Sequence, residues 1–280
     1  MEESTTNRIG IRADEAHLWY VFPDDIQDPS LLTAFQQFTT PNERKRSQQF
    51  AFDRLRRQYL ITRGLCRVAL SRYADVDPRD WRFERNEYGR PEVSSPKDFA
   101  HLRFNLSNTR GLVACLVTFV LKAGVDVEDL TRKSETTSIA ERYFSPLEVA
   151  ALLSLPAEKR RDRFFEYWTL KEAYVKARGM GLSIPLNQFS FHLDDGLPIR
   201  ISFESCPGDT PHSWQFALNR PSERHLMAVA LPRCAGKFVS VEYFEAATRW
   251  LDINRQRERN QRTNPARMLP QPLPLKKLES

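Results

Sequence analysis

Apolar positions along the chain recur with a period of either two residues or three to four, and the switches between the periods mark the elements. His17-Leu18-Trp19-Tyr20-Val21-Phe22, halted by Pro23-Asp24-Asp25, predicts a strand and a turn. Residues 30–38 predict a short helix. Pro41-Asn42-Glu43-Arg44 then opens a longer helical region reaching Tyr73, with Leu55, Tyr59, Thr62, Cys66, Ala69 and Tyr73 on the inward stripe and Arg56, Arg63 and Arg67 on another face. Strands are expected at 81–84, 104–107 and 112–121, the last a valine-rich run of sheet-interior type, with a turn at Asn86-Glu87-Tyr88-Gly89-Arg90-Pro91. Gly124 separates that run from a strand at 125–128.

The second half starts with a helix at 138–143. Ser145-Pro146-Leu147-Glu148 begins another, since serine caps, proline suits the first turn and the glutamate closes a capping box. A helix over 164–178 ends near Gly179. Strands are expected at 188–193, 199–203, 214–218 and 225–231, then a strand or helix over 239–250. The expected class is α+β, strands clustered with helices packed on them.

Length, charge and cysteines narrow the possibilities. A chain of 280 residues buries one large core or two modest ones, and two halves are expected, 1–122 and 123–250. No run of about 18 apolar residues exists to span a bilayer, and the start, with Glu2, Glu3 and Asp14, lacks the pattern of a signal peptide, so a cytoplasmic location is expected. Cys66, Cys115, Cys206 and Cys234 are far apart and read as small buried apolar residues. Neither HExxH, a Walker loop nor GxGxxG occurs, which sets aside zinc hydrolases and dinucleotide enzymes. The net charge is +6, but from Arg249 onward eight basic and three acidic residues carry five of those charges. Residues 251–280 read as a disordered, proline-rich basic tail, either simply solvated or docking an acidic partner or membrane surface, and a nucleic-acid role for the nearly neutral body is not expected.

The candidate chemistry lies in two stretches. On a strand, side chains two apart share a face, so Asp126 and Glu128 converge while Val125 and Val127 enter the core. On a helix, Trp168, Glu172 and Lys176 share a stripe. Each piece has a plainer reading: a solvated strand edge for Asp126 and Glu128, a surface ion pair for Glu172 and Lys176, a core position for Trp168, a cap for Glu148.

In order along the chain, Arg57-Gln58-Tyr59-Leu60-Ile61-Thr62-Arg63-Gly64, Glu87-Tyr88-Gly89-Arg90-Pro91, Phe104-Asn105-Leu106-Ser107-Asn108, Gly124-Val125-Asp126-Val127-Glu128, Trp168-x-x-Lys171-Glu172-Ala173-x-x-Lys176 and Gly181-Leu182-Ser183-Ile184-Pro185-Leu186 resemble the signature of the 4′-phosphopantetheinyl transferases of the large Sfp/HetI type. The resemblance covers roughly residues 40–200. It implies two similar α+β halves related by a pseudo-twofold axis, each a small mostly antiparallel sheet with packed helices, with coenzyme A between them in a monomer. It also implies transfer of the phosphopantetheine arm to a serine of an apo acyl or peptidyl carrier protein, releasing adenosine 3′,5′-bisphosphate, with neither nucleic acid nor membrane as partner.

The residue roles implied are Asp126, Glu128 and Glu172 for Mg²⁺, an ion that favours hard oxygen ligands. Glu172 is also the first candidate for taking the serine proton, directly or through a water, with Glu148 as the alternative base, and Lys176 serves the phosphoryl oxygens. Arg46, Arg57, Arg90, Ser107, Asn108 and Lys176 match coenzyme A contacts. Two positions depart from the pattern: Arg90 stands where lysine is usual, and Asn108 where histidine is usual. A non-catalytic coenzyme A or carrier-binding relative is the alternative that Asn108 leaves open.

Overall fold

The computed structural model describes residues 9–204 and 209–246. Cys206 and the tail expected over 251–280 lie outside them. Among the described residues no helix is long and apolar enough to cross a membrane.

The architecture is mixed α+β, with four small sheets, mostly antiparallel. Strand β1 (Glu15–Val21) is followed by α1 (Pro29–Phe38), α2 (Pro41–Gln48) and α3 (Asp53–Leu70), then the hairpin β2 (Arg82–Arg85) and β3 (Pro91–Ser95). Next come β4 (Leu102–Thr109), β5 (Leu112–Phe119) and β6 (Gly124–Asp129), then α4 (Thr136–Tyr143), α5 (Pro146–Ser154) and α6 (Ala157–Arg178). The remaining strands are β7 (Phe189–His192), β8 (Arg200–Phe203), β9 (Trp214–Ser222), β10 (His225–Pro232) and β11 (Ser240–Glu245).

Two sheets carry the layers, β11-β1-β5-β4 and β6-β10-β9. Strand alternation explains how they stack. On β1 and β5, Trp19, Val21, Val113, Cys115 and Val117 pack toward the helices of the first half. Their neighbours Leu18, Leu112, Ala114 and Leu116 meet Val125, Val127, Met227 and Val229 of the second sheet. On β10, Leu226, Ala228 and Ala230 turn outward onto α6 with Leu170, Ala173 and Ala177. The order is helices, sheet, sheet, helix, and both central strands are buried on both faces, which is why their sequences run nearly continuously apolar.

The boundary expected between 122 and 123 is crossed late in the chain. Strand β11 lies parallel to β1, Leu18 opposite Tyr243 and Trp19 opposite Phe244, and the rings of Trp19 and Phe244 stack at 4.2 Å. The strand-or-helix alternative over 239–250 thus resolves to a strand as far as Glu245.

The long helical region expected through Tyr73 is two helices. Gln49 N–H and Phe50 N–H close tight bonds to Arg46 O and Ser47 O, and the Arg56 guanidinium takes Phe50 O, so the ladder stops and restarts at Asp53. Arg67, placed on a face away from the inward stripe, is nonetheless buried, with Glu43 of α2 reaching it, Nη2 to Oε2 at 3.0 Å. The apolar run expected to 121 ends at Phe119, since Val120 turns to φ +60°. Strand β3 was not legible in Pro91-Glu92-Val93.

Candidate active site

Strand β6 is paired with β10 on one side only; on the other, side chains of β4 complete it. Asn105 Oδ1 accepts the Val125 N–H at 2.9 Å and Ser107 Oγ accepts the Val127 N–H at 3.2 Å. These two side chains, two residues apart on one face of β4, join the two sheets at a seam where main-chain pairing is missing. Asn105 belongs to a motif quoted from the sequence, yet its role was not foreseen; its spacing to Ser107 is the signal that could have found it.

Valines 125 and 127 point into the space between the sheets, so Asp126 and Glu128 face α6, as alternation predicts. Both are buried, which removes the solvated-edge reading. The helix can come close because Gly124 has no side chain: a Cβ there would overlap Ala173 O and the Ala177 N–H. Lys176 extends from α6 and donates to Asp126 Oδ1 at 2.6 Å and to Ser107 Oγ at 2.9 Å, and Ser107 donates to the same Asp126 oxygen at 2.9 Å. Its ion pair is therefore with Asp126, on another element, rather than with Glu172.

The electrostatics show a site rich in negative charge. Burial and then the Asp126 charge raise the Glu128 carboxyl to about 7, against the pull of Arg132, a Trp168 hydrogen bond and Lys176. Burial and Asp126 likewise raise Glu172, with Lys176 opposing. Asp126 Oδ2 is buried without a partner. Among the described residues no three carboxylate, imidazole or thiolate groups converge closely enough to grip an ion as they stand. The donor set nevertheless fits a hard divalent cation, since the Asp126 charge opposes ionisation of both Glu128 and Glu172 and the buried Asp126 Oδ2 has no partner.

Glu172 and Trp168 also line a groove of about 800 Å³, together with Ile139, Arg142 and Tyr143 of the α4 segment and Ile184, Pro185 and Leu186. The remaining sequence candidates are spread around this centre. Asn108, next to Ser107 but on the opposite face of β4, accepts from Gln58 Nε2 of α3 at 2.8 Å. Arg90 is buried and donates to Ala177 O at 3.0 Å, Lys176 O at 3.3 Å and Ala123 O at 3.4 Å, capping α6. Arg57 donates to Pro23 O at 2.8 Å and to Ile26 O, and lines two cavities of about 370 and 510 Å³. Arg46 is exposed, bonded to Gln49 at 2.7 Å and lying over the Phe50 ring. Glu148 is not at this centre; it closes the Ser145 capping box and pairs with Lys171 in the interior.

Comparison with known proteins shows the family. Residues 122–230 match the family description "4'-phosphopantetheinyl transferase superfamily", and residues 27–118 match "4'-phosphopantetheinyl transferase, N-terminal". The 4'-phosphopantetheinyl transferase HetI of a Nostoc species is 32% identical over 219 residues, 78% of this chain and 88% of that protein. The 4'-phosphopantetheinyl transferase Sfp of Bacillus subtilis is 33% identical over 178 residues, 63% of this chain and 75% of its own length. A phosphopantetheinyl transferase of a Thraustochytrium species is 30% identical over 220 residues, with 75% and 74% covered.

Proposed function

Because this chain belongs to the 4′-phosphopantetheinyl transferases of the Sfp/HetI type, we propose that it transfers the phosphopantetheine arm of coenzyme A to a serine of an apo acyl or peptidyl carrier protein, in the manner of a holo-carrier-protein synthase. The reading includes a requirement for Mg²⁺, release of adenosine 3′,5′-bisphosphate, and a cytoplasmic monomer whose two halves are pseudosymmetric around the coenzyme. The observation that carries it is the Ser107–Asp126–Lys176 cluster at the seam of the sheets, with Glu128 and Glu172 electrostatically coupled to it.

In this mechanism Asp126, Glu128 and Glu172 would hold the cation, and Mg²⁺ bound there would supply neutralisation of charge building on the leaving bisphosphate. Lys176 has three N–H donors and spends two on Asp126 and Ser107, so the third is left for a phosphoryl oxygen. Glu172 lines the groove through which a carrier serine would approach, which is the placement a base needs. Glu148, the alternative base, is fully buried and engaged, which favours Glu172.

For the coenzyme, Asn108 Oδ1 is taken by Gln58, which leaves the Nδ2 donors for a phosphate oxygen. Arg90 acts by fixing the last turn of α6, next to Lys176. The finer claims are tested together by chromatography of the nucleotide product. Adenosine 3′,5′-bisphosphate should appear only when coenzyme A, Mg²⁺ and an apo carrier are all present; its appearance in excess EDTA would remove the metal from the mechanism.

A further inference from the structure

We propose that Lys171 and Glu148 form a positioning pair that sets the part of the groove wall formed by Ile184, Pro185 and Leu186, and with it the approach of the carrier protein, without either residue touching a substrate. The proposal rests on the transferase reading above.

Both side chains are wholly inaccessible to solvent, with Lys171 Nζ 2.7 Å from Glu148 Oε2. The same ammonium donates to Leu186 O at 2.6 Å and Phe189 O at 2.7 Å, which uses all three of its donors. Glu148 is equally committed: Oε1 accepts the Phe191 N–H at 2.9 Å and Oε2 the Ser145 N–H at 3.0 Å. Ser190 Oγ extends the network to Ser145 Oγ at 2.7 Å. One buried charge pair thereby ties α5, α6, β7 and the 184–188 segment together.

What this network holds is specific. Leu186, whose carbonyl Lys171 grips, lines the groove together with Ile184 and Pro185. Lys171 is followed directly by Glu172, so the wall and the proposed base are referenced to the same helical turn. Packing this site with apolar side chains would serve stability as well or better, because desolvating two charges offsets most of their attraction. A satisfied ionic network instead fixes one arrangement of the four segments. Glu148 has no path to a serine hydroxyl, so its removal should be felt in where the carrier sits rather than in proton transfer.

The test is steady-state transfer with apo carrier and coenzyme A varied separately, for the full chain and for Lys171→Met and Ser190→Ala. The carrier KM should rise about tenfold in Lys171→Met and about threefold in Ser190→Ala, with the coenzyme A KM within about twofold of the original. Should Lys171→Met fail to fold, Ser190→Ala, which removes a single hydroxyl, decides alone. A fall in kcat with unchanged carrier KM in either folded variant would overturn the proposal and return Glu148 to the chemistry. Direct carrier binding, measured by titration without coenzyme A, separates the two levels. If the original chain binds carrier but transfers nothing, the transferase reading fails and the carrier Kd values carry the same comparison; if it does not bind carrier, both fail.

Discussion

Lys176 on α6 and Asp126 on β6 meet at 2.6 Å beside the seam between β4 and β6, with Ser107 Oγ of β4 2.9 Å from each. The lysine thus supplies to Asp126 the positive charge that a divalent ion would share; Asp126 Oδ2 has no partner, Glu128 is only partly offset by Arg132 at 3.5 Å, and burial and the Asp126 charge outweigh Lys176 at Glu172. Under the proposed reading the cluster would be a cation site partly balanced by the protein's own ammonium.

Removing that ammonium exposes the imbalance. Lys176→Met should lower the thermal midpoint of the metal-free protein at pH 8 and abolish most transfer. Added Mg²⁺ should then raise the midpoint of the variant more than that of the original chain, because ion binding to the native state is all that remains to offset the carboxylates. Equal Mg²⁺ shifts in the two proteins would show that Lys176 and the ion do not share Asp126.

Glu128 gives a pH dependence of definite sign. Its carboxyl titrates at about 7 in the fold against 4.5 as a model group, so the native state holds a proton that the unfolded chain releases. Between those values stability falls as pH rises, and above about 7 the full penalty applies, on the order of 3 kcal/mol as an upper bound. Glu128→Gln should therefore stabilise the metal-free protein at pH 8 and leave it unchanged near pH 4, while lowering Mg²⁺ affinity. Superimposable midpoint-versus-pH curves for the two proteins would remove Glu128 from this account.

Gly124 is where β6 and α6 touch backbone to backbone. Gly124→Ala must separate them, which costs about 1–3 kcal/mol in overpacking and moves Asp126 away from Lys176. A denaturation midpoint lowered together with kcat is the expected result. Wild-type stability and rate would mean that the strand and helix slide without disturbing the cluster.

At Asn108 the account predicts a neutral hydrogen bond to the coenzyme. Asn108→Ala should weaken coenzyme A binding about tenfold by calorimetry, the size of a hydrogen bond to a charged group. Gln58→Leu, which frees the amide to rotate, should shift it in the same direction by less. Affinity untouched by both changes would place the coenzyme elsewhere.

Most of the fold and the centre of the site were legible in the sequence because they follow local rules. Strand alternation put Asp126 and Glu128 on one face, the Ser145 capping box started α5 where expected, and the spacing of Trp168, Glu172 and Lys176 gave one helical stripe. What stayed hidden depends on partners far apart in sequence. Arg67 fell on a face away from the inward stripe and is buried by Glu43 from α2, and Glu148, read as a cap or an alternative base, is also bonded to Lys171 and the Phe191 N–H. The parallel docking of β11 on β1 joins segments over 200 residues apart, which no local period encodes.

The central claim is transfer itself, and intact-protein mass spectrometry of the carrier tests it most directly. With Mg²⁺ and coenzyme A, the full chain should convert an apo carrier to a species heavier by one phosphopantetheine arm on its serine, while Glu172→Gln, folded by circular dichroism, should slow the conversion by about a hundredfold or more. An unchanged carrier mass across several acyl and peptidyl carriers would contradict the account.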